Sequence, residues 1–136
     1  MASSFRGGFE PWARAILRVV AGFTFGAHGV EKLLGWFGGM GGHGARAHLY
    51  SLAGLAGALE TVGGILIMLG LFTPFVAFIL SGEMAFAYFR VHAPHGFFPI
   101  RNGGELAVLY CFIFLYLAAA GAGALSAGPF LAGRRS

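Results

Sequence analysis

Two carboxylates sit where carboxylates are costly. Glu60 and Glu83 each fall in the middle of a long apolar run. An ionisable side chain at mid-membrane costs at least about 2.5 kcal/mol on insertion scales and usually faces the protein interior. Such a group either exchanges protons or anchors a substrate, or it is half of a buried ion pair. By depth, Arg18 is the nearest basic partner for Glu60, while Arg90 lies seven residues from Glu83, on the same helical stripe. His28, Glu31 and Lys32 follow at i, i+3 and i+4 and so share one helix face. The third concentration of chemistry is HAPHGFFPIRNGGE, residues 92–105, with two histidines, two prolines, a Phe-Phe pair and Arg101 before Asn102-Gly-Gly-Glu105.

These residues must be positioned by elements that read as membrane helices. The chain of 136 residues is 57% hydrophobic and 10% charged, against about a quarter charged in soluble domains, so lipid is the expected solvent. Four apolar segments, about 11–34, 49–71, 74–91 and 105–125, each approach the ~20 residues that span a bilayer as helix. In lipid, runs of this length satisfy their backbone only as helices. Arg14 and Arg18 interrupt the apolar core that a signal peptide needs, so the first segment is read as a retained helix. The expected fold is an all-α integral membrane protein. It is a single four-helix transmembrane domain over residues 1–136, with a lid-like loop between the third and fourth helices.

An even number of spans puts both termini on one side with the tight turn LFTP (71–74). The glycine-rich link 35–48 and the stretch 92–104 lie on the other, so all five histidines gather near one face. Arg6, Arg14, Arg18, Arg134 and Arg135 on the terminal side face Lys32, Arg46, Arg90 and Arg101 on the loop side. The positive-inside rule then favours cytoplasmic termini.

Within 92–105, Pro94 and Pro99 bias the residues before them toward extended backbone, so the third helix is expected to stop near Val91. Phe97 and Phe98 are expected to fold onto the helices or to lie at the lipid interface. Asn102 has the form of an N-cap for the fourth helix, with Glu105 at N3 next to the positive end of its dipole. Gly22, Gly26, Gly54, Gly57, Thr61 and Gly64 read as close-packing positions between helices, and such glycine-rich faces also offer a route to homo-oligomers. The single cysteine, Cys111, leaves no thiol pair for redox work. The basic residues are scattered, without the signature of a nucleic-acid-binding fold. His92 and His95 straddle Pro94 and do not present two nitrogens from one helix face, while His28 and His92, from different helices at similar depth, meet the minimum for axial haem ligation. A haem- or metal-binding protein is the less favoured alternative, and no metal or haem is expected.

Three blocks resemble the bacterial DoxX family of small four-helix membrane proteins: HGVEKLLGWFGG (28–39), LETVGGILIMLGLFT (59–73) and EMAFAYFRVHAPHGFFPIRNGGE (83–105). The matching positions include His28, Lys32, Trp36, Glu60, Glu83, His92, Pro94, Phe97, Phe98, Pro99, Asn102 and Glu105. The resemblance implies a multi-pass protein of the bacterial inner membrane. Members are commonly labelled oxidoreductases, and relatives are associated with thiosulfate:quinone oxidoreductase, with terminal quinol oxidase and with complexes that handle thiol and oxidative stress.

The residues themselves suit a quinone. Its two carbonyl oxygens need donors, which His28, Lys32, His92 and Arg101 supply. Glu83, Glu60 and His92 are the candidates for proton exchange, and Trp36, Tyr88, Phe97 and Phe98 for an aromatic wall. Arg18, Glu31, Arg90 and Glu105 are read as ion-pair or helix-dipole residues. Electrons would pass to or from a soluble or membrane partner carrying a redox centre. The alternative is a non-enzymatic scaffold or assembly subunit of a redox complex. A transporter is disfavoured, because no inverted repeat or ring of charges appears.

Overall fold

The computed structural model describes residues 2–128, with side chains from residue 8 onward. Arg6, Arg134 and Arg135, on which the charge asymmetry partly rests, lie outside the described side chains. The described residues are helical, without strands; a lone antiparallel bridge joins Met40 to Ala45. Two compact units divide the chain, residues 1–72 with 122–136, and residues 73–121.

The first unit is a helix pair with a returning tail. Helix α1 spans Ala2–Leu34, so it begins well before the expected Pro11 and carries that proline inside it. A 3-10 turn, Trp36–Gly38, follows, and α2 spans Leu52–Leu69. Ser51 caps α2: its Oγ accepts from the Gly54 amide at 3.1 Å and donates to the His48 carbonyl at 2.6 Å. The buried positions of α1 are Ala15, Arg18, Ala21, Gly22, Phe25 and Gly29, and those of α2 are Gly54, Gly57, Glu60, Gly63, Gly64 and Ile67. Both series recur at spacings of three and four, which is one helical face. The two faces meet through small residues: a β-carbon at Gly64 would stand 2.7 Å from the Gly22 carbonyl oxygen. The expected close packing through these glycines is therefore present, inside one chain.

The second unit pairs α3, Thr73–Ala87, with α5, Glu105–Ala120. Between them run a π turn (Tyr88–His92), a 3-10 turn (Ala93–His95) and the single-turn helix α4 (Pro99–Asn102). Val76, Leu80, Met84 and Tyr88 from α3 and its π turn are buried, as are Ala107, Tyr110, Phe114 and Leu117 from α5. Ser81 Oγ donates to the Cys111 carbonyl at 2.8 Å and ties the two helices together.

Several boundaries differ from expectation. The third segment does not stop near Val91, because the wider π turn carries helical backbone to His92 and the 3-10 turn carries it to His95. Pro94 is accommodated at the start of that 3-10 turn, where its missing N–H does no harm. The fourth segment ends at Ala120 rather than near 125, where Gly121 takes φ 84° and breaks the helix.

The outward surfaces are apolar as well as the inward ones. Val62, Ile65, Phe78, Phe86, Leu109 and Phe112 are all exposed. A helix apolar all round belongs in lipid or deep in a large protein. Among the described residues, two helical stretches are long and apolar enough to cross a membrane, Leu52–Leu69 and Thr73–His95. Helix α5 is apolar but has only 16 residues, and Arg14 and His28 interrupt the apolar surface of α1, while Arg18 is buried.

Candidate functional site

The buried carboxylate of α2 meets a lysine of α1. Lys32 Nζ donates to Glu60 Oε1 at 2.6 Å, with Glu60 almost fully buried and Lys32 partly open. The shared face on α1 is present too, and there His28 Nδ1 stands 3.5 Å from Glu31 Oε2. Glu60 lies on the buried stripe between Gly57 and Gly64, so it faces the α1–α2 seam. Its second oxygen, Oε2, is sealed from solvent and accepts no hydrogen bond among the described residues. A buried carboxylate oxygen without a donor is uncommon and calls for an explanation. Here the pair holds one oxygen bonded to Lys32 and one buried oxygen without a donor.

Arg18 does not pair with Glu60, although depth in the sequence suggested it. Its guanidinium is fully buried and every donor finds a backbone carbonyl. Nη1 donates to the carbonyls of Ile67 (2.8 Å) and Met68 (2.6 Å), Nε to that of Ala122 (2.9 Å), and Nη2 to those of Ala124 (3.3 Å) and Leu125 (2.8 Å). The first two close the C-terminal end of α2, whose dipole favours a cation. The other three hold the returning tail, which also bonds to α1 through Ala124 N and the Pro11 carbonyl at 3.0 Å. Gly70 completes the arrangement. It takes φ 70°, and a side chain there would meet Arg18 Nη1 and Ser126. The role of Arg18 is carbonyl binding, and its depth in the sequence, which matches that of Glu60, gave no hint of it.

Residues 88–104 form a hydrogen-bonded clasp in the second unit. The Tyr88 hydroxyl donates to the Phe97 carbonyl. Asn102 Nδ2 donates to the Gly96 carbonyl at 2.7 Å and to Tyr88 Oη at 3.2 Å. Asn102 Oδ1 accepts from the Gly104 amide at 2.8 Å, and the Asn102 carbonyl bonds to His92 Nδ1 at 3.1 Å. Asn102 is therefore the hub of the clasp and not the N-cap of α5. It ends α4, Gly103 turns the chain at φ 74°, and Gly104 stands at the cap with no side chain to offer. Glu105 occupies the first turn of α5, as expected for a residue favoured by the helix dipole.

Other expected site residues are placed differently. Phe97 and Phe98 do not seat the loop by packing inward. They are 70% and 65% exposed and touch each other edge to face. Arg101 is exposed on α4, and Arg90 is exposed on the π turn, whose extra width breaks the seven-residue register with Glu83. Glu83 is half-buried on α3, with both carboxylate oxygens shielded from solvent. Trp36 and Phe37 line one end of an apolar groove of about 180 Å³ along α1 and α2, with Gly26, Val30 and Ile65. At 100° per residue, Val30 and Lys32 stand on opposite sides of α1, so this groove is separate from the Lys32–Glu60 face.

The DoxX family model matches residues 13–93, a range that holds most of α1, all of α2 and α3, and the Lys32–Glu60 contact. The chain belongs to the DoxX family, which is membrane-associated. It is 51% identical over 120 residues to a protein of Haemophilus influenzae described only as uncharacterized, covering 85% of this chain and 88% of that one. It is 28% identical over 116 residues to "Putative oxidoreductase CatD" of Bacillus subtilis, covering 85% and 84%. No solved structure matches it significantly.

Proposed function

We propose that this protein is a quinone-interacting subunit of a membrane oxidoreductase system, and that Glu60 exchanges protons with the bound headgroup. The observation that carries the reading is the asymmetry of the Glu60 carboxylate: Oε1 is held by Lys32 Nζ at 2.6 Å while Oε2 is buried with no donor. A quinol hydroxyl donates one hydrogen bond and must lose its proton on oxidation, so an ion-paired carboxylate with an open oxygen is a fitting acceptor. Lys32 Nζ holds the other oxygen and so fixes the orientation of the carboxylate. The distant relative named as an oxidoreductase supports the same class.

With a single cysteine, the chain has no internal thiol–disulfide couple, so electrons pass to or from a partner protein, in a system linked to thiol, sulfur or oxidative chemistry. The chain crosses the bacterial inner membrane four times, using α1, α2, α3 with its π turn, and α5, with both termini in the cytoplasm. The interrupted first span fits this topology because the donors of Arg18 are satisfied by carbonyls and Lys32 is paired with Glu60.

Purification from native membrane, followed by identification of co-purifying quinone and polypeptides, tests the reading. Bound quinone that is lost in Glu60→Gln supports it. A stoichiometric protein partner with no quinone, whose assembly fails when this chain is deleted, would replace it with a scaffold role.

A further inference from the structure

The clasp at 88–104 fixes the protonation pattern of one histidine. A carbonyl oxygen only accepts hydrogen bonds, so the 3.1 Å contact between His92 Nδ1 and the Asn102 carbonyl places the proton of the neutral ring on Nδ1. Nε2 is then the lone-pair nitrogen, and it makes no hydrogen bond among the described residues. The ring is held against Tyr88, with centroids 6.4 Å apart and planes 29° from parallel. The π turn supplies the geometry, since Tyr88 and His92 are its first and last residues. π turns inside helices recur at functional sites.

The carbonyl that orients His92 is itself fixed. The side-chain oxygen and nitrogen of Asn102 bond to Gly104 N, Gly96 O and Tyr88 Oη, so the whole residue is braced. A structural loop needs those bonds to turn the chain, but it does not need an imidazole whose second nitrogen is left open. Packing alone around Gly104 is also unusually tight: a β-carbon there would stand 2.8 Å from Tyr88 Cδ2 and 2.9 Å from His92 Cβ.

We propose that His92 is a proton acceptor for a hydroxyl-bearing redox ligand of the quinol class, with Nε2 as the accepting atom and Asn102 as its positioning residue. The ligand class rests on the function proposed above; the tautomer does not. In the step, a quinol O–H bond breaks and an Nε2–H bond forms, giving a quinolate and an imidazolium. No electrons move in that step. The Nδ1–H bond to Asn102 survives it, because both nitrogens of the cation are donors, so the clasp stays closed through the transfer.

Nitrogen-15 NMR of histidine-labelled full chain in lipid nanodiscs tests this, with His92→Gln assigning the signal. The expected neutral ring shows a protonated Nδ1 and an unprotonated Nε2, and a short-chain benzoquinol shifts Nε2. Asn102→Ala, or Tyr88→Phe where that variant folds poorly, mixes the tautomers and weakens the Nε2 response, while His92→Gln weakens quinol binding by about tenfold. A ring protonated at Nε2 overturns the proposal by itself. Quinol binding, read from tryptophan fluorescence, that leaves Nε2 unmoved overturns the role of His92 and leaves Glu60 standing. No quinol binding at all removes both.

Discussion

Lys32 Nζ stands 2.6 Å from Glu60 Oε1, joining α1 to α2 across the buried seam. Around it the seam is built of glycines and small residues, so few other polar contacts can compensate for its loss. Removing one partner of a buried pair typically costs about 3–5 kcal/mol, whereas replacing both with apolar groups of similar size is often neutral. Lys32→Met and Glu60→Leu singly are therefore expected to lower the unfolding midpoint in detergent, and the double variant to recover most of the loss. Equal, additive losses in the double variant would mean that the two groups act independently.

Arg18 gives a second test, through backbone rather than charge. Five carbonyls from the end of α2 and from residues 122–125 share its five N–H groups. Lysine offers three donors from one nitrogen and cannot reach both segments. Arg18→Lys is expected to destabilise by about 3 kcal/mol or more, since each stranded buried carbonyl costs about 1–3 kcal/mol. Limited proteolysis checks the location: cleavage should rise after residue 120 before it rises elsewhere. A variant as resistant as wild type would show that the tail is held by other means.

Two glycines of like position in their helices should respond in opposite ways. A β-carbon at Gly64 meets the Gly22 carbonyl and the Gly26 backbone below 3 Å, while one at Gly82 on α3 meets nothing within 4 Å. Gly64→Ala is expected to destabilise by about 1–3 kcal/mol through overpacking. Gly82→Ala should be neutral or stabilising by up to about 1 kcal/mol, because it removes a flexible residue from a helix interior. Thermal denaturation of the two variants side by side decides it.

Within the clasp, Gly104→Ala is expected to open the hydrogen bond from the Gly104 amide to Asn102 Oδ1, since the added carbon would crowd that oxygen at 2.8 Å. Hydrogen exchange by mass spectrometry should then show lost protection across residues 88–104 with α3 and α5 unchanged. Protection lost uniformly over the chain would instead mark Gly104 as a folding residue.

Helices were legible from the sequence because apolar length and spacing of three and four decide them, and the small-residue face of α2 carries its own periodicity. Burial of Glu60 followed from its place between Gly57 and Gly64 on that face. Its partner did not follow, because depth alone ranked Arg18 above Lys32; what separates them is that arginine has enough donors to be satisfied by carbonyls at a helix end. The same limit hid the clasp. Asn102 before Gly-Gly-Glu reads as a cap by local pattern, yet its partners, Tyr88 and Gly96, are set by a π turn that leaves no signature in residue spacing. For Phe97 and Phe98 apolar character alone leaves two placements open, against the helices or at the lipid interface, and both side chains are exposed.

The central claim is that the open oxygen of Glu60 receives a quinol hydroxyl, and binding of a short-chain quinol to purified wild-type and Glu60→Gln protein in nanodiscs measures it most directly. A hydrogen bond to a charged acceptor contributes about 1.5–3 kcal/mol, so Glu60→Gln should weaken binding by about ten- to a hundredfold while Gly82→Ala leaves it unchanged. Wild-type affinity in a folded Glu60→Gln protein would contradict the assignment of Glu60.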